Sequence, residues 1–267
     1  MPTIRANDLE IAYQRIGAGP PLVLLHGAGS SGALDFAAQI PRLRTAFQLL
    51  LPDARGHGGT RWDPADGFRA TWLVDDLVAF VDAVGLATIH LAGFSMGAMT
   101  ALTFAAREPD RVRTLVVAAI TIEREPRASV ARRLLDPDRI SRDEPAWAAQ
   151  IAARHDRTQG VDSWRRLLPA IAADVVEQPL LRPGDLRAIA APTLVIAGDR
   201  DPMAPVTQVA HLARQVRDGR LLIAPDSRHE VLSERPALVN EALGSFYRST
   251  ETVARARAER SPEEVSR

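Results

Sequence analysis

The strongest structural signal in this sequence is a pentapeptide, Gly93-Phe94-Ser95-Met96-Gly97. It separates an apolar run at residues 89–92, which predicts a buried strand, from a stretch at 96–107 that predicts a helix. Where a strand passes directly into a helix the chain turns sharply, and glycine two residues before and after the turn avoids a steric clash. The pattern therefore predicts that Ser95 lies at the tip of the turn, with a strained backbone and its hydroxyl above the edge of a sheet.

Strands and helices alternate along most of the chain. Residues 9–16 alternate in polarity and predict an edge strand. Short apolar runs predict buried strands at residues 22–25, 47–51, 88–92, 112–118, 193–197 and 221–224. Helical spacing predicts helices at residues 34–44, 72–84, 96–107, 206–216 and 236–247. This alternation indicates an α/β fold, in which a mostly parallel sheet of the eight-stranded type carries helices on both faces.

The alternation stops after residue 120. From Thr121 to Leu186 no strand is predicted, and helical patches occur at residues 129–135, 145–155 and 163–176. We therefore predict a core made of residues 1–120 and 187–248, interrupted by a helical lid at 121–186. Residues 249–267 are polar and charged, which predicts a C-terminal tail that is either a frayed helix or a loose segment.

Composition excludes several classes of protein. The chain has no cysteine, so disulfides, thiolate metal sites and cysteine nucleophiles are excluded. Its formal net charge is zero, without the basic excess typical of nucleic-acid binding. The first residues lack the apolar core of a signal peptide, and no apolar run reaches the length of a membrane span. We expect a cytoplasmic protein with a small-molecule partner, and the sequence does not indicate its oligomeric state.

A serine hydroxyl needs a neighbouring base to become a good nucleophile, and the chain offers six histidines. His229 is the favoured base, because it lies on a loop between a late strand and the final helix. His57, in the loop at 53–59, is the alternative. The remaining four histidines are interpreted as a loop-stabilising residue (His26), two structural residues (His90 and His211) and a solvated residue in the lid (His155).

A carboxylate is needed to orient such a histidine. Asp199 and Asp201 both follow the strand at 193–197, and Asp201 is favoured because Pro202 stiffens the turn after it. Two backbone N–H groups are candidates for binding an oxyanion. That of Met96 lies at a helix N-terminus, and that of Ala28 lies in a glycine-rich loop without the spacing of a phosphate-binding motif.

These motifs together resemble the α/β-hydrolase family. The order Ser95, Asp201, His229 matches the family's order of nucleophile, acid and base. The loops His26-Gly27-Ala28-Gly29 and Asp53-Ala54-Arg55-Gly56-His57-Gly58 resemble its oxyanion loop and a structural D-x-R-G-H-G loop. The resemblance covers about residues 5–248. Arg228 departs from it, because the family often has glycine directly before the catalytic histidine.

The resemblance implies a serine hydrolase that cleaves a carboxylic ester or similar acyl substrate through an acyl-enzyme, without a metal or cofactor. The alternatives are a C–C bond hydrolase, an enol-lactonase or a cofactor-free perhydrolase with the same triad, and a non-catalytic ligand receptor. Trp147 and Trp164 are the candidates for substrate binding in the lid. They are equally compatible with an apolar face that docks the lid on the core.

Overall fold

The computed structural model describes residues 1–259, of which 251–259 are described by their backbone alone. Eight strands form one sheet in the order β1-β2-β4-β3-β5-β6-β7-β8. They are β1 (Thr3–Ala6), β2 (Leu9–Ile16), β3 (Pro21–Leu25), β4 (Gln48–Pro52), β5 (Ile89–Phe94), β6 (Val112–Ala118), β7 (Thr193–Gly198) and β8 (Gly219–Ala224). The pairings β1–β2 and β2–β4 are antiparallel and the others are parallel. The predicted α/β class with a mostly parallel sheet is confirmed.

Helices surround this sheet. Those outside the segment between β6 and β7 are α1 (Ile40–Leu43), α2 (Ala70–Ala83), α3 (Met96–Arg107), α9 (Val206–Gln215), α10 (Val231–Glu234) and α11 (Pro236–Glu259). Single 3₁₀ turns occur at Pro64–Asp66 and Pro109–Arg111. No helix in the described part of the chain is both long and apolar enough to cross a membrane.

The core lies on both faces of the sheet because successive strand residues point to opposite sides. In β3, Val23 and Leu25 pack in a cluster with residues of α2, α3 and α9, whereas Leu22 and Leu24 pack in a second cluster with α1, α10 and α11. Leu22, Val23 and Leu24 are fully buried. Burial on both faces explains why the central strands read as continuous apolar runs.

Five helices connect β6 to β7: α4 (Arg127–Leu134), α5 (Pro137–Asp143), α6 (Pro145–Gln159), α7 (Trp164–Glu177) and α8 (Pro183–Ala188). We call residues 121–186 the cap. Its apolar side chains form a third cluster, which includes Ile140, Ile151 and Leu168 and also contacts Phe68 and Leu73 of the surrounding chain. The helices α5 and α8 are short and polar, and neither was predicted from the sequence.

Several predicted elements need correction. The strand β2 is not an edge strand, because the unpredicted β1 pairs with its outer side. The helix predicted at 34–44 is reduced to α1 and preceded by turns. The reason is local, since the carboxylate of Asp35 accepts hydrogen bonds from the backbone of Gly27 and the hydroxyl of Ser30. The final helix runs to Glu259 and so includes part of the predicted tail, while residues 260–267 lie outside the described residues.

Candidate active site

Ser95 occupies the sharp turn between β5 and α3. Its backbone has φ of 51° and ψ of −112°, a conformation that a residue with a side chain rarely adopts. Gly93 and Gly97 make this turn possible. A Cβ atom at Gly93 would overlap the carbonyl of Gly97, and one at Gly97 would overlap the carbonyl of Leu25. The turn is therefore packed so closely that only glycine fits on either side, and the strain holds Ser95 at the carboxyl edge of the sheet.

The structure brings Ser95, Asp201 and His229 together from three separate loops. The Nε2 atom of His229 lies 2.9 Å from Oγ of Ser95, and its Nδ1 atom lies 2.9 Å from Oδ2 of Asp201. The carboxylate accepts the Nδ1–H, so that Nε2 is left as the acceptor for the serine proton. This arrangement has the geometry in which a serine hydroxyl can be activated as a nucleophile.

Asp201 and Asp199 occupy different environments. The side chain of Asp201 is fully buried, and its second oxygen, Oδ1, accepts hydrogen bonds from the backbone N–H groups of Met203 and Ala204. Asp199 is exposed and bonds the backbone N–H of Ser227 at 3.1 Å. Asp199 therefore stabilises the loop, and Asp201 is the carboxylate that contacts the histidine.

The charges around His229 favour its protonated form. Burial opposes protonation, but the hydrogen bond and negative charge of Asp201, together with the charges of Glu230 and Asp35, raise the pKa of His229 above its ordinary value. A histidine with a raised pKa is a stronger base once it is neutral, and it is well suited to accept the serine proton.

Both candidate oxyanion donors line the same cavity as Ser95 and His229. Met96 is the first residue of α3, so its N–H has no acceptor within the helix. Ala28 lies in the loop after β3, and within the described residues its N–H makes no hydrogen bond. The flanking N–H groups are held in place, because Gly27 donates to Asp35 and Gly29 donates to Nε2 of His57. Two free donors are thus positioned where an oxyanion could be bound.

Both ring nitrogens of His57, the alternative base, form hydrogen bonds with the backbone. It is fully buried, its Nδ1 lies 3.0 Å from the carbonyl of Arg55, and its Nε2 accepts from Gly29. His26 makes the same kind of contacts, with the carbonyl of Gly27 and the N–H of Ala54. Each ring therefore donates one hydrogen bond and accepts another, both with the backbone. Burial and the neighbouring imidazoles lower the pKa of His57 well below its ordinary value.

His155 was predicted to be solvated, and this prediction is wrong. It is fully buried, it accepts a hydrogen bond from the N–H of Gly58, and its ring packs edge-on against that of His57. The signal was present in the sequence, because Ile151 lies four residues earlier on the same helical face and is also buried. We call His26, His57 and His155 the histidine cluster. It joins the cap to both loops that border the site.

Two further residues of α6 support this connection. Gln159 donates to the carbonyl of Thr60 at 2.6 Å and accepts from the N–H of Trp62 at 3.2 Å. Arg154 donates to the carbonyl of Gly29 at 3.1 Å, directly beside the candidate oxyanion donor. The helix α6 is therefore fixed to the loops at 26–29 and 53–62 by polar contacts as well as by apolar packing.

A cavity of about 750 Å³ extends from Ser95 under the cap. Trp147 lines it and is half-buried. Trp164 does not line it, since its side chain is buried in the apolar cluster of the cap with Leu167. Arg228, which replaces the glycine often found before the catalytic histidine, is exposed at the cavity wall, and its backbone N–H donates to Glu234.

Among the described residues, no group of three or more histidine, aspartate or glutamate side chains is arranged to hold a metal ion. The chemistry that the described side chains themselves can perform is nucleophilic attack by Ser95, with proton transfer through His229.

Comparison with known proteins supports this description of the fold. A family model described as the alpha/beta hydrolase family matches residues 22–242. The serine hydrolase BPHL of Mus musculus is 27% identical over 238 residues, which cover 85% of this chain and 79% of the relative. The 2-(acetamidomethylene)succinate hydrolase of Mesorhizobium japonicum is 27% identical over 249 residues, which cover 86% of this chain and 88% of the relative.

Solved structures agree with the sequence relatives. A thermophilic esterase from Thermogutta terrifontis has 25% identity and a TM-score of 0.75, and the match covers 93% of this chain and 98% of the esterase. The similarity therefore extends over nearly the whole of both chains, including the cap.

Proposed function

The chain belongs to the alpha/beta hydrolase family, and from this premise we propose that it is a serine hydrolase that cleaves a carboxylic ester through an acyl-enzyme. One observation carries the proposal. His229 lies 2.9 Å from the hydroxyl of Ser95 and 2.9 Å from the buried carboxylate of Asp201. The free N–H groups of Ala28 and Met96, which line the same cavity, add support.

In the proposed reaction, Oγ of Ser95 attacks the ester carbonyl carbon while its proton moves to Nε2 of His229. The carbonyl oxygen becomes an oxyanion, which the N–H groups of Ala28 and Met96 stabilise. The C–O bond then breaks, and the leaving alcohol takes the proton from Nε2. Asp201 stabilises the imidazolium and holds Nδ1–H in place throughout.

Deacylation repeats these steps with water. His229 takes a proton from the water, whose oxygen attacks the acyl carbon, and the second oxyanion is stabilised by the same two N–H groups. The bond to Ser95 breaks, and Oγ recovers its proton from Nε2 while the carboxylic acid leaves. The strained turn at Ser95 keeps the hydroxyl at the same place in both halves of the cycle.

The cap supplies the remaining walls of the site. Trp147, Ile171 and Val175 offer apolar surface for the part of the substrate beyond the reacting carbonyl. Trp164 contributes indirectly, because it packs inside the cap. We propose residues 121–186 as a substrate-specificity cap on a core formed by residues 1–120 and 187–248.

Labelling with a fluorophosphonate tests the proposal, together with hydrolysis of 4-nitrophenyl butyrate. The wild-type protein is expected to be labelled at Ser95, as located by mass spectrometry, and to hydrolyse the ester. Ser95→Ala should lose labelling and about 10⁴-fold or more of the turnover. Ser129→Ala, a change of an exposed serine on α4, is the matched control and should keep both.

Absence of both labelling and turnover in folded wild-type protein would refute the proposal and favour a non-catalytic receptor. Product analysis separates the related chemistries that use the same triad. Turnover of a vinylogous diketone or an enol-lactone that exceeds ester turnover would assign the triad to C–C bond or lactone cleavage. Peroxide-dependent formation of a peracid would assign it to a perhydrolase.

A further inference from the structure

The helix α4 contributes a buried arginine without a hydrogen-bond partner to the lining of the cavity. Arg127, the first residue of α4, is 4% exposed and lines the same cavity as Ser95. Its Nε and Nη2 atoms are buried without a hydrogen-bond acceptor. Within the described residues no carboxylate lies within ion-pair distance of it. A buried guanidinium in this state is costly unless an anion compensates it.

The other arginines of the cavity are in a different state. Arg139 pairs with Glu144, and Arg154 donates to the carbonyl of Gly29 and to Gln150. Arg133 and Arg228 are exposed, so that water solvates their charges. Arg127 is thus buried, charged and unpaired at once. Burial and the charge of Arg124 lower the pKa of Arg127 to about 10, so the side chain still carries its positive charge at neutral pH.

The surroundings of Arg127 resemble a binding subsite for an organic anion. Ala131, Ile171 and Val175 line the same cavity and give it apolar surface. Asp174 is the acid on the neighbouring helix α7 that interacts with Arg127 through charge, but it lies beyond ion-pair distance. The planar guanidinium presents donors in a fork that matches the two oxygens of a carboxylate.

We propose that the substrate carries a carboxylate in addition to the ester that is cleaved, and that Arg127 binds this carboxylate. This inference rests on the proposed function for the identity of the reaction. The binding of the anion itself does not depend on that function. Arg127 is then a specificity-determining residue, and Asp174 limits affinity for the anion by repelling it.

The experiment compares matched esters with and without the charge. Mono-4-nitrophenyl adipate has the carboxylate on the acyl side, and 4-carboxyphenyl acetate has it on the leaving group. The methyl ester of each is its neutral counterpart. The readout is the ratio of kcat/KM for the anionic ester to kcat/KM for its counterpart. Arg127→Met should lower this ratio about 30-fold or more for at least one pair, the loss expected for a hydrogen-bonded charge.

Three further variants sharpen the test. Arg127→Lys retains the charge but loses the fork, so it should recover part of the ratio. Asp174→Asn removes the repulsion and should raise the ratio. Arg132→Met changes an exposed arginine of the same helix that does not line the cavity, and it should leave the ratio unchanged. An unchanged ratio in Arg127→Met for both pairs would overturn the inference and leave the hydrolase proposal intact.

A measurement without turnover separates the two failures. Calorimetric titration of Ser95→Ala with adipate is expected to show binding, and the double variant with Arg127→Met is expected to bind at least about 10-fold more weakly. If fluorophosphonate labelling and ester turnover fail but this difference is found, the anion subsite stands and the hydrolase proposal falls. If Arg127→Met does not fold, the test is inhibition of wild-type ester turnover. Adipate monomethyl ester, which keeps one carboxylate, should then inhibit more strongly than the neutral dimethyl ester. Equal inhibition, or no difference in the titration, overturns the inference.

Discussion

Replacement of His155 by glutamine should make the stability of the protein less dependent on pH. Burial, the charge of His26 and the charge of Arg154 lower the pKa of His155 from 6.5 to about 4 in the folded chain. Position 155 therefore binds a proton below pH 6.5 in the unfolded chain but only below about pH 4 in the folded chain. Because the pKa of His155 is depressed in the folded chain, its contribution to the free energy of unfolding is fully present above pH 6.5. This contribution is lost as the pH falls towards 4.

The size of the effect follows from the two pKa values. Each pKa unit corresponds to about 1.4 kcal/mol, so the full loss from His155 is about 3 kcal/mol. Between pH 7 and pH 5, linkage gives a loss of about 2 kcal/mol. His57 and His90 have lowered pKa values as well and add to the slope of the wild type.

Urea unfolding at pH 7, 6 and 5 and at constant ionic strength measures this effect. From pH 7 to pH 5, the unfolding free energy of the wild type should fall by about 2 kcal/mol or more further than that of His155→Gln. His211→Gln changes an exposed histidine and should leave the wild-type slope unchanged. Parallel pH profiles for wild type and His155→Gln would refute the reasoning, since they would mean that His155 titrates alike in both states.

Three other changes test the site and the core. Asp201→Asn should reduce kcat by on the order of 10³–10⁴-fold. Because Asp201 raises the pKa of His229, the variant should also shift the rise of kcat/KM in a pH–rate profile to lower pH. An unmoved profile would contradict this assignment. Gly97→Ala should prevent the turn at the nucleophile from closing, because the added Cβ overlaps two backbone carbonyls. Fluorophosphonate labelling should then be lost, and full labelling would exclude such strain. Leu168→Ala should lower the unfolding free energy by about 2–5 kcal/mol through a cavity in the cap, whereas Leu34→Ala, at a position 44% exposed, should cost far less on urea unfolding.

The elements that could be predicted from the sequence are those with a strong local signal. The buried strands read as apolar runs because both faces of the sheet are covered. The turn at Ser95 was predictable because steric crowding leaves only glycine on either side of it. Asp201 was separated from Asp199 by the following proline, and the contact of Asp201 with the imidazole of His229 agrees with that choice.

The features that were missed depend on tertiary contacts. The strand β1 has four residues and no apolar run, so only its pairing with β2 reveals it. The helix predicted at 34–44 loses its first turns because Asp35 and Gln39 bond elsewhere, Asp35 to the loop after β3 and Gln39 to the carbonyl of Leu232. The burial of Arg127 has no counterpart in sequence pattern, since arginine at the start of a polar helix normally faces water.

The cap makes two kinds of contact with the region around Ser95. The helix α6 is fixed by His155, Gln159 and Arg154 to the loops that orient the candidate oxyanion donor. The helix α7 presents Ile171 and Val175 to the cavity, and α4 presents the buried charge of Arg127. Because the contacts that hold the loops are on α6 and the proposed anion subsite is on α4, changes at Arg127 should alter selectivity for an anionic substrate without moving the candidate oxyanion donors. A change at His155 should instead disturb the loop next to the candidate donor Ala28, because the ring of His155 packs directly against His57, which accepts a hydrogen bond from Gly29.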